Sequence, residues 1–132
     1  MTRFVVDCGA VLQLASEDFE SPAEHELLAP TLLRSQTLSA LHAAVQRGEL
    51  SADVALDRLA RIQALPIRLL GDAVLRRNAW KLADQLGWAE TYDAEYVALT
   101  RLQADALVTL DAELARTLEG VVPTATIDAL RG

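Results

Sequence analysis

The chain contains one cysteine, Cys8, and one lysine, Lys81, in 132 residues. A lone thiol closes no internal disulfide and supplies no zinc site of the Cys-x-x-Cys type, so disulfide scaffolds are excluded and the sequence reads as intracellular. No Gly-x-Gly-x-x-Gly follows an apolar run, which disfavours a dinucleotide-binding enzyme. A phosphoacceptor receiver domain needs an acid pair and a lysine after a late strand, whereas Lys81 falls within a helical pattern. No stretch approaches the roughly 18 uninterrupted apolar residues of a membrane span. The amino terminus reaches Asp7 without the apolar run of a signal peptide, so a soluble, cytoplasmic protein is expected. Positive charge is also scarce: twelve Lys and Arg against nineteen Asp and Glu leave −7. That balance argues against a uniformly basic, duplex-coating surface and still permits a local basic groove.

What remains is a chain the size of one domain, 1–132, with 52% apolar residues, enough for a substantial core. Phe4 to Val6 form a short β-branched run ending at Asp7, followed by a short helical pattern from Ala10 to Ala15. Residues 16–26 are acidic and interrupted by Pro22, and read as a surface connection. Leu27 to Ala29 is either a short strand or the approach to Pro30, which suits the first turn of the next helix. Helical spacing runs from Thr31 to Arg47, from Ala52 to about Ala64 with Ser51 as N-cap, from Gly71 or Asp72 to about Leu86, from Thr91 or Tyr92 to about Gln103, and from Ala112 to Leu118. Strands are expected at Pro66 to Leu70, at Ala106 to Leu110 and, last, within Val121 to Thr126. Alternating helices and continuously apolar strands are the signature of an α/β fold, a short parallel sheet flanked by helices on both faces.

Charge and chemistry are unevenly placed. Residues 31–81 hold eight bases against four acids and so carry +4, leaving −11 elsewhere. This is either a set of ordinary solvated helix faces or a polyanion-facing surface. Ligands of open α/β sheets bind beyond the carboxyl ends of the strands, which is where Asp7 and Asp111 fall. Asp93 opens a helix that can face the same rim, although an acid there also complements the helix dipole. Carboxylates converging without a Ser-His or Cys-His pair repel one another unless a cation lies between them. Hard oxygen donors select Mg²⁺ or Mn²⁺, whose usual work is phosphoryl chemistry.

Four segments carry a resemblance: Phe4-Val5-Val6-Asp7; Leu28-Ala29-Pro30-Thr31-Leu32-Leu33-Arg34-Ser35; Tyr92-Asp93-Ala94-Glu95-Tyr96-Val97-Ala98-Leu99; and Leu107-Val108-Thr109-Leu110-Asp111. Together they resemble the PIN-domain ribonucleases, and most closely the VapC toxins of bacterial toxin-antitoxin pairs. The resemblance implies a PIN-like domain acting as a Mg²⁺- or Mn²⁺-dependent endoribonuclease, a homodimer, held inactive by a VapB-type antitoxin. By position it implies that Asp7, Asp93 and Asp111 are metal-holding catalytic acids, with the hydroxyl of Thr109 beside the last.

The chain departs from that pattern twice. Gln36 stands where the second helix of the family has Glu, which removes a negative charge and a possible base. Gly9 replaces the small hydroxyl residue often found two places after the first Asp. Glu90, three residues before Asp93, is placed to share its side if the helix already covers it, whereas Glu95 lies about 200° round the helix and should point away. His25 in the acidic connection and His42 are expected to be surface or packing residues. Cys8 is expected to be a small buried hydrophobe. Trp80 and Trp88 read as core or dimer-interface anchors. The competing function is a PIN fold weakened in catalysis by Gln36 and serving as a protein-interaction or RNA-binding module.

Overall fold

The computed structural model describes every residue except Asp18, Ser21 and Gly132. Five strands and six α-helices succeed one another: β1 (Thr2–Val6), α1 (Cys8–Ala15), β2 (His25–Pro30), α2 (Leu32–Gln46), α3 (Ala52–Ala64), β3 (Ile67–Leu70), α4 (Ala73–Leu86), α5 (Tyr92–Gln103), β4 (Ala106–Val108), α6 (Ala112–Thr117) and β5 (Thr124–Ala125). A 3₁₀ turn, Ile127–Arg131, closes the chain.

All strand pairs are parallel, in the order β3-β2-β1-β4-β5. Phe4, Val5 and Val6 are buried in succession, as are Ala106, Leu107 and Val108. Successive residues of a strand point to opposite faces, so an unbroken buried run means that both faces of the sheet are covered. The order also fixes where a ligand site lies. From β1 the chain builds outward through β2 to β3, then returns to lay β4 on the other side of β1. The switch point between β1 and β4 opens a crevice at their carboxyl ends. Val5 pairs with Leu107 and Val6 with Val108, so the two strands end level with each other.

Helix starts follow local chemistry. Asp7, Ser51, Asp72 and Asp111 each cap a helix with a side-chain oxygen, satisfying N–H groups that the first turn leaves unpaired. Gly87 takes φ 70° at the end of α4, a left-handed conformation that turns the chain into the loop before α5.

Several expectations need correction. Pro30 ends β2 rather than starting α2, and pairs with Leu70. It lies beyond the last β1 partner of β2, Leu28, so its missing N–H breaks no rung on that side. The 16–26 connection is shorter than its composition suggests, since His25 and Glu26 are the first rungs of β2, while Asp18 and Ser21 lie outside the described residues. The acid of Glu26 is matched by Arg3 and Arg68 at 3.2 and 3.5 Å, which is why a charged residue is tolerated there. Of Val121 to Thr126 only Thr124 and Ala125 form strand, because Val121 and Val122 are still bonded back to Leu118 at the end of α6.

Candidate functional site

Three acids arrive at the switch point by three routes. Asp7 follows β1 directly and caps α1, its Oδ1 accepting the Ala10 N–H at 2.9 Å. Asp111 follows β4 after Thr109 and Leu110, and its Oδ1 accepts the N–H groups of Glu113 and Leu114, both at 3.0 Å. Asp93 stands in the first turn of α5. All three line one open pocket of about 400 Å³, together with Cys8, Gln36 and Tyr96. The side chains expected from the sequence are therefore neighbours, brought together by elements far apart in the chain.

Their electrostatics express the crowding. Burial raises the Asp7 pKa, and the charges of Asp93 and Asp111 push the same way, against bonds from Thr109 and the Ala10 N–H. Asp93 is raised too, first by burial and then by Asp111 and Glu90. Each of these groups resists ionising beside the others, as like charges in partial burial must. Buried Thr109 links two of the acids: its hydroxyl accepts the Asp111 backbone N–H at 3.1 Å and holds down the Asp7 pKa as a hydrogen-bond partner.

Gln36 reaches the same pocket from α2, and its Oε1 accepts the Tyr96 hydroxyl at 2.6 Å. Tyr96 was not singled out in the sequence, although its place three residues after Asp93, on the same side of α5, was the available signal. Burial pushes its phenol far above the ordinary range, so it is a hydrogen-bond donor across the whole physiological interval. One lone pair of the carbonyl oxygen is so engaged, which leaves the other and the amide N–H groups of Gln36 for further contacts.

Glu90 and Glu95 separate, although Glu90 lies in the loop before α5 and not on the helix. Glu90 borders the adjoining hollow with Gln36 and Asp93. Glu95 faces α4, where Arg76 is its opposing charge. Gly9 lines the acidic pocket, and a Cβ there would meet only Asp7 Oδ1, at 3.8 Å. The Cys8 thiol is pushed up to about 11 by burial and then by Asp7, which suits a packing residue and not a nucleophile. His42 is exposed, as expected. His25 departs from its expected place in the connection: it is half-buried in β2, edge-on to Phe4 with ring centroids 5.2 Å apart. Trp88 packs against the core, but Trp80 is 67% exposed and is no core anchor.

The donor chemistry fits a hard divalent cation: three carboxylates, no competing lysine, and on Asp7 and Asp111 one oxygen each turned to a helix N-terminus. Among the described residues no group of three or more His, Cys, Asp and Glu side chains is arranged to hold a metal ion by itself. The two observations agree for Mg²⁺, which is ordinarily held by one or two carboxylates and completes its shell with waters and phosphate oxygens.

Neither a family model nor a curated protein matches the sequence. Solved structures do match the fold. PAE2754 from Pyrobaculum aerophilum superimposes with TM-score 0.72 at 21% identity, over 98% of this chain and 93% of that one. VapBC-1 from nontypeable Haemophilus influenzae gives 0.65 at 10% identity, over 96% and 98%. A PilT N-terminus domain protein, SSO1118 from Sulfolobus solfataricus P2, gives 0.50 at 17%, over 97% and 89%. At these identities the likeness is one of fold: an α/β, all-parallel PIN-domain fold like that of VapC.

Proposed function

We propose that this chain is a Mg²⁺- or Mn²⁺-dependent endoribonuclease, the toxin of a toxin-antitoxin pair, working as a homodimer with a VapB-type antitoxin as its inhibitory partner. The carrying observation is the gathering of Asp7, Asp93 and Asp111 in one pocket at the switch point of the sheet. The matched structure of VapBC-1 supports the antitoxin by analogy of fold. When bound, the divalent cation supplies an activated water and neutralises charge on the phosphate.

The residues of the chain do the rest. Asp7 and Asp111 are fixed by helix N–H groups, so each presents its remaining oxygen from a stiff support. Thr109, as a hydrogen-bond partner of Asp7, lowers its pKa and so offsets part of the rise that burial and the neighbouring acids cause. Asp93 supplies the third carboxylate from the first turn of α5. The Gln36 amide, braced by Tyr96, offers a neutral contact to a phosphate or sugar oxygen in the place of a fourth acid.

That bracing also favours the second reading, a weakened nuclease retained as a binding module, because one lone pair of the Gln36 carbonyl oxygen is already engaged and the residue brings no charge. One experiment separates the two. RNA incubated with Mn²⁺ should be cut by the wild-type chain and left intact by Asp93→Asn, with EDTA abolishing cleavage. If wild type and Asp93→Asn leave equal residues of intact RNA, catalysis at this pocket is refuted and the module reading takes over.

A further inference from the structure

The other pole of the molecule is a cationic and aromatic helix face that the acidic pocket does not use. Along α4, Arg76, Arg77 and Lys81 stand against one acid, Asp84, and all are exposed. Among the described residues neither Arg77 nor Lys81 joins an ion pair, while Arg76 faces Glu95. Trp80 lies among them with 67% of its surface in water. An indole left that open costs solvation, and unpaired cations on a chain of net charge −7 are a local exception to its field. Beside them, between α4 and the first turns of α5, runs a groove of about 480 Å³ bordered by Arg76, Trp80, Thr91 and Glu95.

The groove leads to the site. Thr91 borders it and Asp93 borders the acidic pocket, and two residues span at most about 7 Å. Between them Tyr92, 52% exposed, edges the hollow that Asp93 shares with Trp88. We propose that this α4 face binds single-stranded RNA, with a base stacked on Trp80 and phosphates on Arg77 and Lys81, and that the strand then passes Tyr92 to reach the acidic pocket. The inference rests on the nuclease reading for its direction of travel.

The physical case is charge complementarity joined to a stacking surface. A strand carrying one charge per nucleotide is repelled by the acidic rim and needs cations outside it to be held at all. A flat indole flanked by cations is the sequence-tolerant platform that unpaired bases use, whereas duplex RNA keeps its bases stacked internally. A second copy of the chain is the poorer occupant, because a two-fold contact across this face would bring the same excess of positive charge together from both copies.

The test uses a short fluorescein-labelled single-stranded RNA of mixed sequence, titrated in EDTA and followed by anisotropy, with Mn²⁺-dependent cleavage measured separately. Trp80→Ala should weaken binding about tenfold. The pair Arg77→Gln and Lys81→Gln should flatten the slope of log K against log salt by about 1.4. Asp93→Asn should bind at least as well as wild type while failing to cleave. Wild-type cleavage together with undiminished binding by Trp80→Ala would overturn the α4 strip and leave the nuclease reading standing. RNA bound through Trp80 without any Mn²⁺-dependent cleavage would uphold the strip as a binding surface and remove the nuclease. A Trp80→Ala variant that changes only sedimentation, in the presence or absence of an acidic protein partner, assigns the face to a protein contact and overturns the inference.

Discussion

The acidic rim and the outer face of α4 differ in charge, but more in how they are held. Asp7, Thr109 and Asp111 are fixed by hydrogen bonds to the first turns of α1 and α6 or to the backbone beside them, at the ends of strands whose last three residues are buried. Trp80, Arg77 and Lys81 stand in water with no such supports. A group whose position is set by the core is preorganised for chemistry and changes only at a cost in stability. A group on an exposed helix face is free to vary, and suits binding of a flexible, sequence-variable strand.

The comparison breaks first at the core. Leu107, fully buried in β4 one residue from the β1 contact that sets the rim, should lose about 2–5 kcal/mol on replacement by Ala, the usual span for emptying a buried leucine site. Trp80→Ala should stay within about 0.5 kcal/mol, because its ring is mostly in water already. Urea unfolding of both variants checks the pair. Similar losses from the two would mean that α4 is held by contacts at Trp80, and the contrast between support and surface would collapse.

Much of this was legible in the sequence. Asp7 and Asp111 follow runs that only a doubly covered strand would carry, and the N-cap chemistry of Ser51 and Asp72 marks helix starts within a residue. The tertiary partners were not. Nothing in the local pattern pairs Gln36 with Tyr96, 60 residues away, nor shows that Trp80 faces water while Trp88 packs inward. Pro30 was misplaced because a proline reads locally as a helix opener, and its tolerance at the end of β2 depends on where β1 stops. The brevity of β5 had the same origin, since apolar Val121 and Val122 look like strand yet are bonded to the end of α6.

The rim is sharpened next by charge. Gln36→Glu keeps the volume and still accepts the Tyr96 hydroxyl, while adding a fourth negative charge. Mn²⁺ affinity should rise about tenfold, about 1.4 kcal/mol, since charge count sets affinity for hard cations. Adding Asp93→Asn should cancel the gain. Calorimetry with the wild type and both variants decides it, and an unchanged affinity in a folded Gln36→Glu protein would remove position 36 from the metal's surroundings.

A smaller effect follows from repulsion without metal. The Asp7 and Asp93 pKa values are raised in the folded protein above their ordinary 3.8, so folding binds protons more readily than the open chain does. The contribution of these two groups to stability is therefore fullest below about 3.8, falls as pH rises toward the folded values, and is flat above them. Asp7→Asn, which keeps the α1 cap, should raise Tm in EDTA at pH 7 by about 2–4 °C and by nothing at pH 3. Calorimetric scans at the two pH values check it; a gain of equal size at both would show that repulsion is not its source.

The smallest effect concerns the gap at Gly9. A Cβ there meets only Asp7 Oδ1, at 3.8 Å, and the residue lies in the first turn of α1 without a positive φ, so nothing in its backbone demands glycine. Serine is also the better helix residue by a few tenths of a kcal/mol. Its hydroxyl stands beside the Asp7 carboxylate as a donor that the acidic pocket lacks on that side. Gly9→Ser should therefore leave Tm unchanged or slightly raised, within about 0.5 kcal/mol, and lower the Asp7 pKa by the added hydrogen bond. In EDTA the pH-dependent loss of stability described above should shrink in this variant, because the carboxylate it eases is the one that folding strains. NMR titration of the Asp7 carboxyl carbon reads the shift directly. A Tm lowered by several degrees would show that the approach of α1 to the rim has no room for a side chain, and that the glycine is a structural requirement of the site.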